Sequence, residues 1–450
     1  MKARRLTLVG AGLAGALLAT LLARRGFEVE VFERYPDPRR ATVPAGRSIN
    51  LALAERGRAA LAEADLLEGV GDFALPMAGR MLHEPDQPPR LQRYSQHPDE
   101  VIYSVHRGHL NRYLLDAAEA AGARLVFDQP LVAVDFPQRL ARFGHTGETR
   151  QHGFEVLIGS DGAGSALRQA IAEETELGLR EVPLDHGYKE LTIAPVDGAH
   201  AIEPEALHIW PRGGFMMIAL PNPDASFTCT LFLENHGRPG FDSIAETDDG
   251  MAFLAAEFPD ALALMPNARD ELAGNPVGFL GTLYLDCWRL DGRAVLLGDA
   301  AHAIVPFHGQ GMNAAFEDCV SLARHLSEHN DCDAAFAAFE AERKPNADAI
   351  AAMALDNYEE MRASVRDPRF HLKKELEWWL ERELPERFVP RYSMVMFRPD
   401  IPYAEARRRG EIQARLLDAH TAKAESLDQV DYQALRQEVM AVLKPLPIRS

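Results

Sequence analysis

The sequence predicts an α/β protein with three parts: a discontinuous doubly wound domain, an inserted antiparallel β-sheet domain and an α-helical C-terminal region. Three observations predict it. A strand, glycine turn, helix and second strand occupy Leu6 to Glu33. Strand-like segments crowd Glu190 to Glu234. Beyond Asp331 the pattern is almost entirely helical.

In the opening unit, Leu6, Leu8 and Val9 lead into Gly10-Ala11-Gly12-Leu13-Ala14-Gly15. A Leu/Ala helix then runs to Arg25, Gly26 stops it, and Val29 and Val31 alternate towards Glu33. Such a unit is Rossmann-like. Gly10 permits the tight turn, Gly12 lets the backbone approach a pyrophosphate, and Gly15 lets helix and strand pack closely. The helix N-terminus offers free N–H groups and partial positive charge to phosphates. Glu33 falls roughly 20 residues past the glycines, where an acid accepts hydrogen bonds from a ribose, which favours FAD or NAD over NADP in this pocket. Basic residues before an apolar stretch also suit a signal peptide, but the glycines interrupt the stretch and no cleavage signature follows.

Further along, prolines and charges mark a loop at residues 34–40. Residues 46–53 read as a buried strand, and Glu55 starts a helix running towards Leu67. Four prolines between residues 76 and 105 suit hairpins. A helix from Leu110 to Ala121 follows Arg107, with a strand near Arg124 to Phe127. Phe154 to Gly159 is a buried strand entering Ser160-Asp161-Gly162. Strands at 207–210, 215–220 and 227–233 alternate with Pro/Gly/Asn turns as an antiparallel insert. The α/β pattern resumes at Ala294 and enters Gly298-Asp299, and a long helix follows from Gly311. The expected domains are therefore residues 1–75, 100–180 and 285–330 for the nucleotide-binding part, 76–99 and 181–284 for the β-sheet insert, and 331–450 for the helical region.

Composition sets limits. A chain of 450 residues with 47% hydrophobic and 26% charged residues is an ordinary globular protein of more than one lobe. A formal net charge of −19 argues against nucleic acid and anionic membrane surfaces as partners. Cys229, Cys287, Cys319 and Cys332 form no CxxC, which suits reduced thiols in the cytoplasm. No apolar run approaches the ~18–20 residues that span a bilayer. His302 and His308 lie near Asp299, but nothing there completes a metal ligand set, so no metal is expected.

Together the glycine loop, Ser160-Asp161-Gly162 and Gly298-Asp299 resemble the flavoprotein monooxygenases of the aromatic-hydroxylase class. The resemblance assigns FAD to Gly10, Gly12, Leu13, Ala14, Gly15, Glu33, Arg34, Arg107, Asp161 and Asp299. Gly311, Met312 and Asn313 open a helix whose N–H groups face the flavin pyrimidine. More specific stretches lie at residues 46–57, 207–212, 215–222, 227–232, 306–318 and 357–362. They are similar to the kynurenine 3-monooxygenase family. That resemblance, covering Leu6 to about Phe397, implies non-covalent FAD, NADPH as transient co-substrate, O2, and L-kynurenine as substrate. Oxygen transfer then comes from a flavin C4a-hydroperoxide, and no side chain acts as nucleophile or acid–base catalyst. The family's carboxylate-binding positions fall on Arg80, Tyr94, Asn357 and Tyr392. Its apolar pocket falls on Ile218, Leu220, Phe232, Pro306 and Phe307, with His308 where many relatives carry an aromatic. The charged residues 411–450 contrast with the hydrophobic tail of eukaryotic members, so a cytoplasmic enzyme without a membrane anchor is expected, as monomer or homodimer. Alternatives are a related flavin hydroxylase of another aromatic acid and a non-catalytic flavin-binding sensor.

Overall fold

Three strands that each run into a glycine-containing turn lie side by side, and this places the site. The computed structural model describes residues 4–40, 50–145, 147–363 and 368–446. Its first sheet has the strand order Arg289–Leu290, Ala294–Leu296, Val156–Gly159, Arg5–Val9, Glu28–Phe32, Arg124–Val126. All pairings are parallel except that of Arg289–Leu290. Val9 pairs with Gly159 and Gly159 with Leu296, so the three strand ends are level. The glycine loop, the Ser160-Asp161-Gly162 turn and the Gly298-Asp299 turn thus emerge from one carboxyl edge, where open α/β sheets bind ligands.

Local sterics hold the first turn. Gly10 has φ +100°, and a Cβ there would sit 2.6 Å from the Ser160 carbonyl oxygen. A Cβ on Gly15 would collide with the Gly10 carbonyl oxygen. Helix Leu13–Arg24 can therefore lie against the strand only because both positions lack side chains.

The second sheet has seven strands, in the order Gly278–Tyr284, Arg180–Ile193, Phe227–Glu234, Met216–Pro221, Ala206–Pro211, Gly79–Leu82, Arg90–Arg93. It is antiparallel except where Ala206–Pro211 runs parallel to Gly79–Leu82. Side chains alternate between its faces. Met216, Ile218 and Leu220 pair with Phe232, Thr230 and Thr228. The alternate residues Met217, Ala219, Cys229 and Leu231 are buried in a core with Leu254, Phe258 and Leu272. A small sheet of Asn50–Leu53, Ile102–His106 and Ala74–Met77 lies in the segments between the two large sheets.

The C-terminal region contains helices Cys332–Ala363, Pro368–Glu383, Arg391–Phe397, Tyr403–Thr421 and Tyr432–Val442. It is fastened to the rest through Arg56, whose side chain is only 1% exposed. The guanidinium donates to the carbonyls of Val395 (2.7 Å), Met394 (3.0 Å), Arg398 (3.1 Å) and Ile401 (2.5 Å). It also pairs with Glu317 at 2.8 Å and lies 4.0 Å above the Tyr403 ring.

Some sequence expectations shift. The helix from Glu55 stops at Glu63 and restarts at Leu67, because Asp65 takes a left-handed conformation (φ 47°) between them. Of the strand expected at 46–53, Asn50–Leu53 is observed and 46–49 lie outside the described residues. A three-stranded antiparallel unit, Leu131–Asp135, Leu140–His145 and Glu148–Gly153, has no counterpart in the sequence reading. Its last strand is mostly exposed and polar, so it carries no apolar alternation.

Replacing Arg56 with Met would leave four carbonyls without their donor and Glu317 with Arg343 as its remaining partner. We expect a loss of about 3–5 kcal/mol of stability, the usual cost of breaking a buried ion pair. Urea unfolding followed by circular dichroism checks this, and a change below about 1 kcal/mol would contradict the role given to Arg56.

Candidate functional site

At the carboxyl edge of the first sheet lies a cavity of about 320 Å³ lined by two sets of residues. One set comes from the turns: Gly12, Leu13, Ala14, Ser160, Gly162, Asp299, Gly311 and Met312, with Arg107 from the start of helix Arg107–Ala120. The other comes from the second sheet, the turn Pro306–His308 and the C-terminal region. It contains Ile218, Leu220, Phe232, Pro306, Phe307, His308, Arg80, Tyr94 and Tyr392.

The first set offers what a dinucleotide cradle requires. A Cβ at Gly12 would meet nothing within 4 Å, so open space lies directly over the loop. Helix Leu13–Arg24 begins without a side-chain cap, as does helix Gly311–Glu328. Two helix N-termini thus bring uncapped N–H groups to the cavity, which suits a diphosphate or the polar edge of a flat ring. Several residues that the resemblance assigns to FAD also hold the surrounding backbone. Glu33 Oε2 accepts from Ala11 N (2.7 Å) and Oε1 from Tyr35 N (2.9 Å), so this carboxylate ties the glycine loop to the second strand and does not line the cavity. Asp161 accepts from Ser165 Oγ (2.5 Å), Ala166 N (2.7 Å) and Leu167 N (3.2 Å) and so caps the following helix. Burial pushes its pKa up against these bonds. Its neighbours Ser160 and Gly162 supply the cavity surface. Asn313 accepts from Ala54 N (3.0 Å) and donates to the carbonyls of Ala52 and Gly309 (both 2.9 Å), clamping the two loops together. Arg34 lies over the exposed Tyr35 ring, away from the cavity.

The second set is an aromatic slot with one cation. Phe232 and Phe307 meet with centroids 5.1 Å apart, and Phe307 stacks on Tyr358 at 4.1 Å. Tyr392 stacks on Tyr94 (5.5 Å) and on His308 (5.6 Å). The Arg80 guanidinium carbon lies 5.1 Å from the Tyr392 centroid and 5.9 Å from that of Tyr94. Burial raises the Tyr94 pKa well above the phenol range, with Tyr392 adding to it and Arg80 opposing. The Tyr94 hydroxyl is buried without a well-formed hydrogen bond. Burial drives His308 down to about 3, aided by Arg391 and Arg80, so its imidazole is neutral at neutral pH. Asn357 donates to the Phe307 carbonyl (2.6 Å) and lines a second cavity of about 390 Å³. Arg80, Tyr94, His308 and Tyr392 line both cavities and form the wall between them.

Sequence reasoning passed over several lining residues, including Met216, Tyr188, Thr230, Ile304 and Met396. Each is an unremarkable apolar or strand residue until the sheet and helix Arg391–Phe397 are docked. It also passed over Asp318, fully buried, which accepts from Gly298 N (3.0 Å), His302 Nε2 (2.6 Å) and Arg343 Nε (2.7 Å). Burial opposes its ionisation, yet His302 and Arg343 outweigh this and hold the carboxyl at about 2.

A family model described as "FAD binding domain" matches residues 5–354. The chain is 54% identical to a kynurenine 3-monooxygenase of Stenotrophomonas maltophilia (strain K279a), with 98% of each covered. It is 53% identical to that of Xanthomonas axonopodis pv. citri (strain 306), with the same coverage. Among solved structures it resembles 2-methyl-3-hydroxypyridine-5-carboxylic acid oxygenase, with TM-score 0.68, 20% identity, and 82% of this chain and 95% of that one covered. It also resembles PqsL of Pseudomonas aeruginosa in complex with 2-aminobenzoylacetate, with TM-score 0.65, 22% identity, and 80% and 97% covered. The two structural likenesses concern the fold.

The low pKa of Asp318 has a consequence for acid stability. The unfolded carboxyl binds protons near pH 4 and the folded one only near 2, so the ionised pair contributes fully above about pH 4 and is lost as pH falls towards 2. The contribution is on the order of 2 kcal/mol at ~1.4 kcal/mol per unit. Urea midpoints measured from pH 6 to pH 2 should therefore fall less steeply below pH 4 in Asp318→Asn than in the unsubstituted protein. Parallel curves would place the acid sensitivity elsewhere.

Proposed function

We propose, on the premise that the chain belongs to the kynurenine 3-monooxygenase family of FAD-binding proteins, that it hydroxylates L-kynurenine to 3-hydroxy-L-kynurenine. NADPH and O2 are consumed in the reaction. One oxygen atom enters the ring carbon ortho to the amino group and the other leaves as water. Bound FAD supplies the electron transfer from NADPH and the activation of O2. The observation that carries the reading is the pairing, in one cavity, of an uncapped glycine loop with a guanidinium flanked by two phenols.

This reading gives each residue a task. Gly10 to Gly15 and the N-terminus of helix Leu13–Arg24 take the FAD diphosphate, and Glu33 keeps that loop in register. Arg107 and Asp299 lie along the same wall, and the N–H groups at Gly311 and Met312 would hold the pyrimidine edge of the flavin. Arg80 takes the substrate carboxylate, since a guanidinium fork matches a carboxylate. Tyr94 and Tyr392 add directed hydroxyls. Ile218, Leu220, Phe232, Pro306 and Phe307 form the slot for the aminobenzoyl ring, with neutral His308 at its margin. Asn357 acts through Phe307, whose carbonyl it holds. The aniline nitrogen of the substrate supplies the electron density for attack, so the protein's work is to orient the ring and exclude water. The helical region beyond residue 331 contributes Tyr392 and closes the slot. We place the enzyme in the cytoplasm as a monomer or homodimer, a location that suits its four unpaired cysteines. No helix among the described residues is long and apolar enough to cross a membrane.

The test is NADPH consumption by the flavin-loaded protein with L-kynurenine, anthranilate or hydroxybenzoates, with the product identified by mass. Kynurenine should stimulate oxidation and give the 3-hydroxy product. Arg80→Ala should raise the apparent KM by roughly two to three orders of magnitude. That is the ~3–5 kcal/mol cost of leaving a partly buried anion unpaired. Arg80→Lys should recover only part of it, and both variants should keep a full complement of FAD. Normal KM, or purification without flavin, would remove Arg80 from the substrate site.

A further inference from the structure

We propose that His325, Glu328 and His329 bind a divalent transition-metal ion of the zinc class, with Glu342 as the outer carboxylate that orients His325. The three lie at i, i+3 and i+4 at the end of helix Gly311–Glu328, where such spacing brings side chains onto one face. One ligand atom from each falls within 4.8 Å of the other two.

The hydrogen bonds leave each imidazole with one nitrogen lone pair. His325 is 8% exposed, and its Nε2 lies 2.7 Å from Glu342 Oε2. A carboxylate only accepts, so Nε2 carries the hydrogen and Nδ1 keeps a lone pair. That Nδ1 atom is buried without a hydrogen-bond partner and lies 4.0 Å from Glu328 Oε2. His329 Nδ1 lies 3.0 Å from the His325 carbonyl oxygen. A carbonyl also only accepts, so the His329 lone pair is on Nε2. Two imidazole lone pairs and one carboxylate are therefore available to a single ion. His325 hydrogen-bonded to Glu342 reproduces the carboxylate–histidine–metal arrangement that sets the tautomer and raises ligand basicity.

Zinc bonds to nitrogen and oxygen of about 2.0–2.2 Å ask for contraction of the trio by roughly 1 Å, which the exposed Glu328 side chain can supply. Water would complete a tetrahedral set. Arg324 lies 3.3 Å from Glu328 and pairs with Glu342. It keeps the outer carboxylate in place and competes with the ion for the inner one. Its 3.3 Å contact with His325 Nε2 follows from both groups converging on Glu342. The acidic protein as a whole favours cations. His325 lies ten residues along this helix from Ala315, which lines the cavity, a rise of about 15 Å. The site's role is to pin that helix to Cys332–Ala363, which carries Glu342. The sequence reading looked for cysteine pairs and for histidines near Asp299 and so passed over this trio.

The test is a zinc titration of the chelator-treated, FAD-loaded protein against a chromophoric chelator, with thermal unfolding alongside. One saturable site per chain is expected, with a rise in Tm on adding zinc. His329→Ala should weaken binding at least tenfold and abolish the Tm rise, while keeping FAD content and zinc-free NADPH oxidation unchanged. Glu342→Gln should weaken it roughly tenfold to a hundredfold, the usual effect of an outer partner. Cys332→Ser should bind as the unsubstituted protein does. Absence of saturable binding overturns the proposal. So does binding that survives His329→Ala or that disappears with Cys332→Ser.

Discussion

The molecule depends on a buried chain of alternating charges that starts at Arg56. This guanidinium holds the carbonyls around helix Arg391–Phe397 and pairs with Glu317 at 2.8 Å. Glu317 pairs with Arg343 at 3.0 Å, and Arg343 with Asp318 at 2.7 Å. Asp318 in turn accepts from Gly298 N and His302. Each of these charges would cost several kcal/mol to bury alone. In the chain each has a partner of opposite sign and well-placed hydrogen bonds, so removing any one strips each neighbour of one of its partners. The wall that carries Tyr392 and the turn that carries Asp299 are therefore tied to one frame.

That frame explains why the two halves of the site hold together although their residues are far apart in sequence. Arg80 and Tyr94 follow the first helical segments, whereas Tyr392 lies near the other end. Tyr94 and Met394 share a buried cluster with Ala314 of helix Gly311–Glu328. The loop between Asn50 and Ala54 is braced against Gly309 by Asn313. Packing interiors are dense and transmit strain. A shift of the flavin-side loop is thus felt at His308 and Tyr392 within a few residues.

Sequence legibility follows the physics of each part. The glycine loop was readable because steric exclusion leaves no alternative: Gly10 and Gly15 have no room for a Cβ. Strands 216–221 and 227–234 were readable because every second residue faces a core. The exposed unit at 131–153 was not, since little apolar patterning marks it. The cavity residues Arg80, Tyr94 and Tyr392 looked like ordinary surface or half-buried side chains and were picked out only through the family resemblance. Their stacking depends on three separate segments meeting. Glu33, Asp161 and Asn313 were picked out by motif, and the motif alone does not separate a group that touches a ligand from one that holds the backbone that does.

Under the proposed function, this separation bears on how a single cavity would serve two unlike molecules. The surfaces lining the dinucleotide end are largely backbone, small side chains and two helix termini, while the carboxylates of Glu33 and Asp161 are turned back to hold those surfaces. An anionic diphosphate would then meet N–H groups without facing those two negative charges, and the carboxylate left in the lining, Asp299, shares its wall with Arg107. At the other end the polarity is inverted: one guanidinium sits among phenols and a neutral imidazole, in a slot otherwise apolar. A cation so placed attracts a carboxylate and leaves the ring to the aromatic walls, so orientation follows from where charge is absent as much as from where it is present. Keeping His308 neutral by burial preserves that contrast at neutral pH, because a second cation beside Arg80 would offer the carboxylate a competing position.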